Sequence, residues 1–363
     1  MKSFAKILVL LSAAMCLASV QAKTRLRLCM PVENEDFLNL SLLVAQDQKS
    51  FEQQGLDVQI SVIRRKTGKS AFTMSSAGPL SSFSNENWGV ADQVINAQAK
   101  CDVGISPVAG MMALQDKDLA LLQPLYMSTY GQDYDTHLIV RNDSLIKSVK
   151  DLRGKVVRIG QVPTHMALNG VLKDSGMRLN DVILETTIPA NHVLAALDSG
   201  RIHAAITYVP TMPLMLASGK VRVLSQNIIG RQVMAKTPNA LMFTSRKFAA
   251  EHAEVLSRFR AAMTKNLAQI ERDPGLIFKS AHRLFRGRNG KSSILNGLNP
   301  AWQERAATLV GKLSLEDFSS SNQEALNRNL MDYQRRLFNL GYISKISDIS
   351  GWFPDSKQKQ AAL

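Results

Sequence analysis

The chain has 363 residues, 45% of them hydrophobic, with 44 Lys and Arg against 30 Asp and Glu and a formal charge of +14 at pH 7. That length exceeds what one hydrophobic core usually serves, so two lobes are expected. The basic excess points to nucleic acid, anionic lipid or an anionic ligand. Only 6% of residues are aromatic and no aromatic-and-basic stacking pattern stands out, which speaks against a single-strand nucleic-acid binder.

Residues 1–22 read as an export signal. Lys2 and Lys6 form a basic start, 7–18 an apolar run, and Val20-Gln21-Ala22 a small-residue cleavage site. The run is short for a membrane span and polar chain follows it. Lipid-modified cysteines resemble a pattern with Gly or Ala just before the Cys, and Met15 stands before Cys16. A cleaved, soluble, periplasmic product is therefore predicted, and export removes nucleic acid as a partner. Cleavage takes away two lysines and no acid, so the remainder stays strongly basic.

Residues 26–30 read as the first strand, 31–36 as a loop, 40–53 as a helix stopped by Gly55, and 56–63 as the second strand. Residues 64–87 are Ser-rich, contain Gly68, Gly78 and Pro79, and exceed a usual connection. A binding lid and a surface insertion both fit them. Trp88 ends that stretch at a strand-to-helix turn, ahead of a helix over 90–99. A strand follows at 102–105, and Ser106-Pro107 open a helix with Pro in its first turn. Residues 119–127 read as one further strand, and the polar 128–136, with Tyr130, as a first crossing between lobes.

Cys29 and Cys101 are the cysteines that remain after cleavage. An oxidising compartment would let them pair. The strand reading sets them several residues out of step and favours two buried free thiols.

The clearest pattern lies in the middle of the chain. Asp151-Leu152-Arg153-Gly154-Lys155 precedes the run Val156-Val157-Arg158-Ile159-Gly160 and a helix over 164–175. A second unit repeats the layout: a strand over 182–189, a helix over 191–199, Gly200, then Ala204-Ala205-Ile206-Thr207-Tyr208. Such alternation reads as consecutive βαβ units of a parallel sheet. The chain returns over 228–243, and 246–271 is helical. Leu326, Leu330, Tyr333, Leu337 and Leu340 form one helical face, a core stripe ended by Gly341.

These motifs resemble the periplasmic substrate-binding proteins of ABC importers, closest to the nitrate/sulfonate/taurine branch (SsuA/THI5-like, NMT1-like). Asp151-Leu152-Arg153-Gly154-Lys155 with its strand and helix start is one signature. Ala195-Ala196-Leu197-Asp198-Ser199-Gly200-Arg201-Ile202-His203-Ala204-Ala205 is similar to the next. Leu42-Leu43-Val44-Ala45 with Phe51-Glu52-Gln53-Gln54-Gly55-Leu56-Asp57-Val58 is a third, and Gly341-Tyr342-Ile343 resembles the family's tail. The resemblance implies a two-lobed α/β fold of periplasmic binding protein type II. Each lobe would be a mostly parallel sheet flanked by helices, with a helical C-terminal extension. Lobe 1 would span 23–130 and 231–363, and lobe 2 131–230. It implies a monomeric, non-enzymatic protein that closes on a small solute and delivers it to an inner-membrane permease, with no cofactor or metal. A protein feeding a sensor or chemoreceptor is the alternative, and an enzyme on the same fold a further one.

Catalytic signatures are absent. No His-Glu-x-x-His, Cys-x-x-Cys or Gly-x-Ser-x-Gly occurs. Gly290-Lys291-Ser292 lacks its P-loop glycine, since 285 is Phe285, and Ser144-Leu145-Ile146-Lys147 has its companion motif Lys66-Thr67-Gly68 in the wrong order. Residues 231–291 carry 13 Lys and Arg against Glu251, Glu254, Glu271 and Asp273, a run read first as a solvated face and otherwise as a steering surface. Ligand residues are expected after strands, where parallel sheets place them: Asn34, Trp88 and Ser106 from lobe 1, Thr164, His165 and Tyr208 from lobe 2, and Tyr130 at the crossing. Helix starts near Ser106 and Thr164 would hold an anion by their free N–H groups. Relatives for sulfonates and thiamine precursors often carry an aromatic, an acid and Pro after this last strand. Here Tyr208-Val209-Pro210 lacks the acid, which argues against an amine or pyrimidine ligand.

Overall fold

The chain builds two five-stranded sheets in the computed structural model, which describes residues 23–31, 37–63, 100–114, 119–121, 126–128, 136–160, 162–188, 190–207, 211–233, 240–273, 275–284, 304–305, 308, 315–317, 323–343 and 345–352. The first sheet uses β1 (Thr24–Pro31), β2 (Leu56–Ile63), β3 (Val103–Pro107), β4 (Leu119–Leu121) and β11 (Ala240–Ser245), in the order β2-β1-β3-β11-β4. The second uses β6 (His137–Arg141), β7 (Val156–Arg158), β8 (Ile183–Glu185), β9 (Ala204–Thr207) and β10 (Val221–Ser225), in the order β8-β7-β9-β6-β10. In both, the second strand pairs in parallel with the first and third, and the fourth runs antiparallel to its neighbours. The two sheets therefore repeat one plan. The α/β class with mostly parallel sheets follows the sequence expectation.

Burial explains why these strands read as continuous apolar runs. β9 is buried at every position and β6 at four of five, as expected for a sheet covered on both faces. Alternate residues serve different cores: Leu138 and Val140 join the larger cluster, while Ile139 joins a smaller one with Val193, Leu197 and Ala205.

The helices that cover the sheets include α1 (Phe37–Asp47), α2 (Val108–Leu114), α3 (Val162–Asp174), α4 (Val193–Asp198), α5 (Thr211–Ala217) and α6 (Ile228–Gln232). After the return come α7 (Arg246–Glu251), α8 (Ala253–Arg272), α9 (Gly275–Leu284) and α10 (Gln323–Asn339). α8 buries Leu256, Phe259, Met263, Leu267 and Ile270 at helical spacing, and Phe259 stacks on Phe51 with ring centroids 5.4 Å apart. In α10 Leu326, Leu330, Tyr333 and Leu337 are buried as predicted. Leu340, counted with them, is 41% exposed because it lies beyond the last helical turn.

The sequence motifs turn out to be structural devices. Asp151 accepts the backbone N–H of Lys147 and of Ser148, each at 2.8 Å, and this holds its carboxyl below the usual range. Leu152 is fully buried, Arg153 pairs with Asp181, and Gly154 takes φ 70°, a region that disfavours side chains. The motif thus turns the chain into β7.

Several expectations are corrected. The single strand over 119–127 is two: β4 belongs to the first sheet, whereas β5 (Tyr126–Ser128) pairs with β12 (Leu315–Asp317). In the sequence Pro124, which brings no N–H to a ladder, stands between the two. The helix over 40–53 stops at Asp47, and a 3-10 turn at Glu52–Gln54 follows Lys49 at φ 55°. The helix expected to open at Ser106 and Pro107 begins directly after them, at Val108. Ser106 and Pro107 end β3, opposite Leu241 and Ala240, where a proline is tolerated as the last strand residue.

Cys29 and Cys101 are not free thiols but a disulfide, with Cα atoms 5.8 Å apart. β3 does lie beside β1 and is out of step as predicted, Leu28 facing Val103. Cys101, however, precedes the strand, where the chain bends back over β1 and Asp102 donates its N–H to the Arg27 carbonyl at 2.8 Å. The signal segment, the 64–87 stretch and the helix over 90–99 lie outside the described residues.

Candidate functional site

The carboxyl edge of the second sheet gathers the polar groups. β7 leads through Gly160 into α3, whose first turn carries no acid to offset the positive end of its dipole. Gly160 donates its N–H to the Thr164 hydroxyl at 3.0 Å, fixing the turn between strand and helix. Thr164 is fully buried and His165 is 4% exposed.

His165 is held by the chain's own tail. Its Nδ1 contacts the Tyr342 hydroxyl, and the rings meet edge-on with centroids 5.7 Å apart. Burial pushes the His165 pKa down to about 4 and raises that of Tyr342. At neutral pH the imidazole is therefore uncharged, and it is engaged inside the protein.

Arg158, the last residue of β7, is 6% exposed. Its Nε donates to the Ile188 carbonyl at 3.0 Å and its Nη1 to the Ile206 carbonyl at 2.9 Å, which ties β7 to the ends of the neighbouring chain segments. The guanidinium also lies against Gly160: a Cβ built there would meet Nη1 at 3.2 Å. Sequence reading passed over this residue as part of an apolar run. A lone cation inside Val156-Val157-Arg158-Ile159 was the available signal, because burying a guanidinium demands dedicated partners.

The predicted residues are distributed as follows. Thr164 and His165 share the start of α3 in the second sheet, and Ser106, fully buried, stands at the end of β3 in the first. Asn34, Trp88, Tyr130 and Tyr208 lie outside the described residues. The chain entering β6 meets the chain leaving β10: Ile228 donates its N–H to the Thr136 carbonyl at 2.9 Å, and Asn227 its N–H to His137 Nδ1 at 2.9 Å. A shallow groove of about 400 Å³ opens elsewhere, against α4, and holds none of these candidates. Among the described residues no group of three His, Cys, Asp or Glu could hold a metal ion, and no helix is long and apolar enough to cross a membrane.

Comparison with known proteins agrees with this architecture. The family described as NMT1/THI5 like matches residues 82–275, more than half of the chain. Among curated proteins none matches. Among solved structures, the alkanesulfonate-binding protein SsuA of Xanthomonas axonopodis pv. citri, bound to MOPS, is similar with a TM-score of 0.61 and 16% identity, covering 91% of this chain and 98% of that one. The periplasmic aliphatic sulphonate-binding protein SsuA of Escherichia coli gives 0.58 and 16%, covering 91% of each chain. The desulfurization enzyme DszB gives 0.56 and 13%, covering 93% of this chain and 99% of that one. At such identities these likenesses establish the fold, that of periplasmic binding proteins.

Proposed function

The chain belongs to the NMT1/THI5-like family, and from that premise we propose that it is an exported solute-binding protein of an ABC importer. It takes a small oxyanion, a sulfonate or nitrate, between two lobes and hands it to a membrane permease. The observation that carries this reading is the repeated sheet plan, with the chain entering the second sheet at Thr136 in contact with the chain leaving it at Ile228, since a pair of like lobes joined at one side closes by a hinge around a ligand. The acid-free start of α3 favours negative charge, and closure strengthens that attraction by excluding water. The sulfonate-binding proteins with the same fold support the ligand class.

In this reading lobe 1 spans 23–130 and 231–363 and lobe 2 131–230, and the protein acts as a monomer. The solute meets Asn34, Trp88, Ser106, Tyr130, Thr164 and Tyr208, with His165 supporting the start of α3. The segment 1–22 is removed near Ala22, leaving a periplasmic protein without lipid on Cys16, and mass spectrometry of the native N-terminus tests that.

The deciding experiment is a thermal-shift screen of the mature protein against alkanesulfonates, nitrate, carboxylates and amines, because a ligand selective for the folded state raises the melting temperature. A rise with sulfonate or nitrate supports the proposal. A rise confined to amines overturns it. The likeness to DszB favours a second reading, an enzyme on this fold. Chemical change in a ligand recovered after incubation, read by mass spectrometry, would select that reading instead.

A further inference from the structure

Thr207 closes β9 at the carboxyl edge of the second sheet; it is 0% exposed and among the described residues its hydroxyl has no hydrogen-bond partner. Two other buried threonines of the fold are provided for. Thr244, equally buried in the first sheet, donates its hydroxyl to the Asp102 carbonyl at 2.6 Å, and Thr164 takes the Gly160 N–H. A valine would fill the Thr207 position with the same branched shape and no polar atom, and a buried hydroxyl that makes no hydrogen bond is destabilising. A hydroxyl kept there calls for a partner that the described fold does not supply.

The strand register shows what stands beside it. Arg158 faces Ala205 across the parallel pair, two residues before Thr207. Successive side chains alternate between sheet faces, which puts Thr207 on the face of Ala205 and Arg158. The Arg158 guanidinium bonds the Ile206 carbonyl at 2.9 Å, in the peptide unit that leads into Thr207. A second hydroxyl without a partner among the described residues, that of the buried Thr136, sits just before His137, which pairs directly with Thr207.

We propose that the Thr207 hydroxyl contacts the solute, giving an oxyanion at this edge an uncharged hydrogen bond beside the Arg158 cation. This deepens the solute-binding reading and rests on it. The group acts as a donor, so it favours ligands that present oxygen acceptors, sulfonate or nitrate, over those that present only N–H groups.

Titration calorimetry with methanesulfonate and with nitrate, on the parent, Thr207→Val and Thr207→Ser, tests it. The valine variant should bind the parent's ligand about tenfold or more weakly, the loss expected of one buried hydrogen bond. The serine variant should retain most of the affinity. Without ligand, Thr207→Val should melt at the parent's temperature or above, since it removes an unmade bond. Undiminished binding by Thr207→Val overturns the inference and leaves the solute-binding reading standing. So does a valine variant that melts well below the parent, which would mark the hydroxyl as structural. A parent that binds neither probe overturns the oxyanion reading itself, and this inference with it.

Discussion

At His165 burial has turned a titratable side chain into a structural one. The ring is 4% exposed, meets Tyr342, and has its pKa pushed down to about 4 by desolvation. In the unfolded chain a histidine titrates near 6.5, so between these values the unfolded state binds the extra proton and stability falls as pH falls. The contribution is fully present above about pH 6.5 and lost through pH 4, roughly 2.5 kcal/mol of it by pH 4.5. Urea titrations between pH 7.5 and 4.5 should show this loss in the parent and a flatter profile in His165→Gln. Equal slopes would mean that other groups carry the acid sensitivity. Position after Gly160 made Thr164 and His165 candidates from the sequence, but position alone could not reveal that the far C-terminal Tyr342 would occupy the imidazole. Arg158 and Thr207 were hidden for a related reason: each sits in a run whose other members are apolar, and only pairing shows which edge of the sheet they reach.

Elements were more legible than residues because their signals are local. The βα repeats over 150–210 announce themselves through alternation and through glycines at φ 70° and φ 73°, Gly154 and Gly200, which only a left-handed turn explains. What failed needed knowledge of neighbours. Residues 119–127 have strand composition throughout, yet their two halves find different partners, β11 and β12. The cysteines failed similarly, since register was read correctly but the bend before β3 was not. Their bridge joins β1 to the approach of β3 across a sequence separation of 72 residues. Closing a loop of that length restricts the unfolded chain, and losing a native disulfide typically costs about 2–5 kcal/mol. The double variant Cys29→Ala/Cys101→Ala should therefore unfold at lower urea by about that margin, with circular dichroism of the native state unchanged. A stability equal to the parent's would show that the bridge restrains little.

At the scale of the whole molecule, the two sheets share one core. Leu26, Leu28 and Val103 of the first and Leu138, Val157 and Ile206 of the second belong to a single cluster of buried side chains, which also takes in Leu330 and Leu337 of α10. The C-terminal segment makes the junction. Tyr342 reaches His165 on α3, and Arg336 donates to the Val233 carbonyl at 2.7 Å, just past α6. Val233 lies a few residues past Ile228, whose N–H meets the Thr136 carbonyl, so the second tie joins α10 to the same stretch of chain that meets the start of β6. Contiguous burial of this kind makes unfolding cooperative, whereas two separately cored lobes would open at their own free energies. Hydrogen exchange read by mass spectrometry across a urea series should thus find peptides from β1 and from β9 losing protection together. Tyr342→Ala, which empties the junction, should split the two, and Tyr342→Phe, which keeps the ring, should leave them nearly coincident. If β9 loses protection at distinctly lower urea in the parent, the cluster is continuous in space but not in energy, and the C-terminal segment only rests on α3.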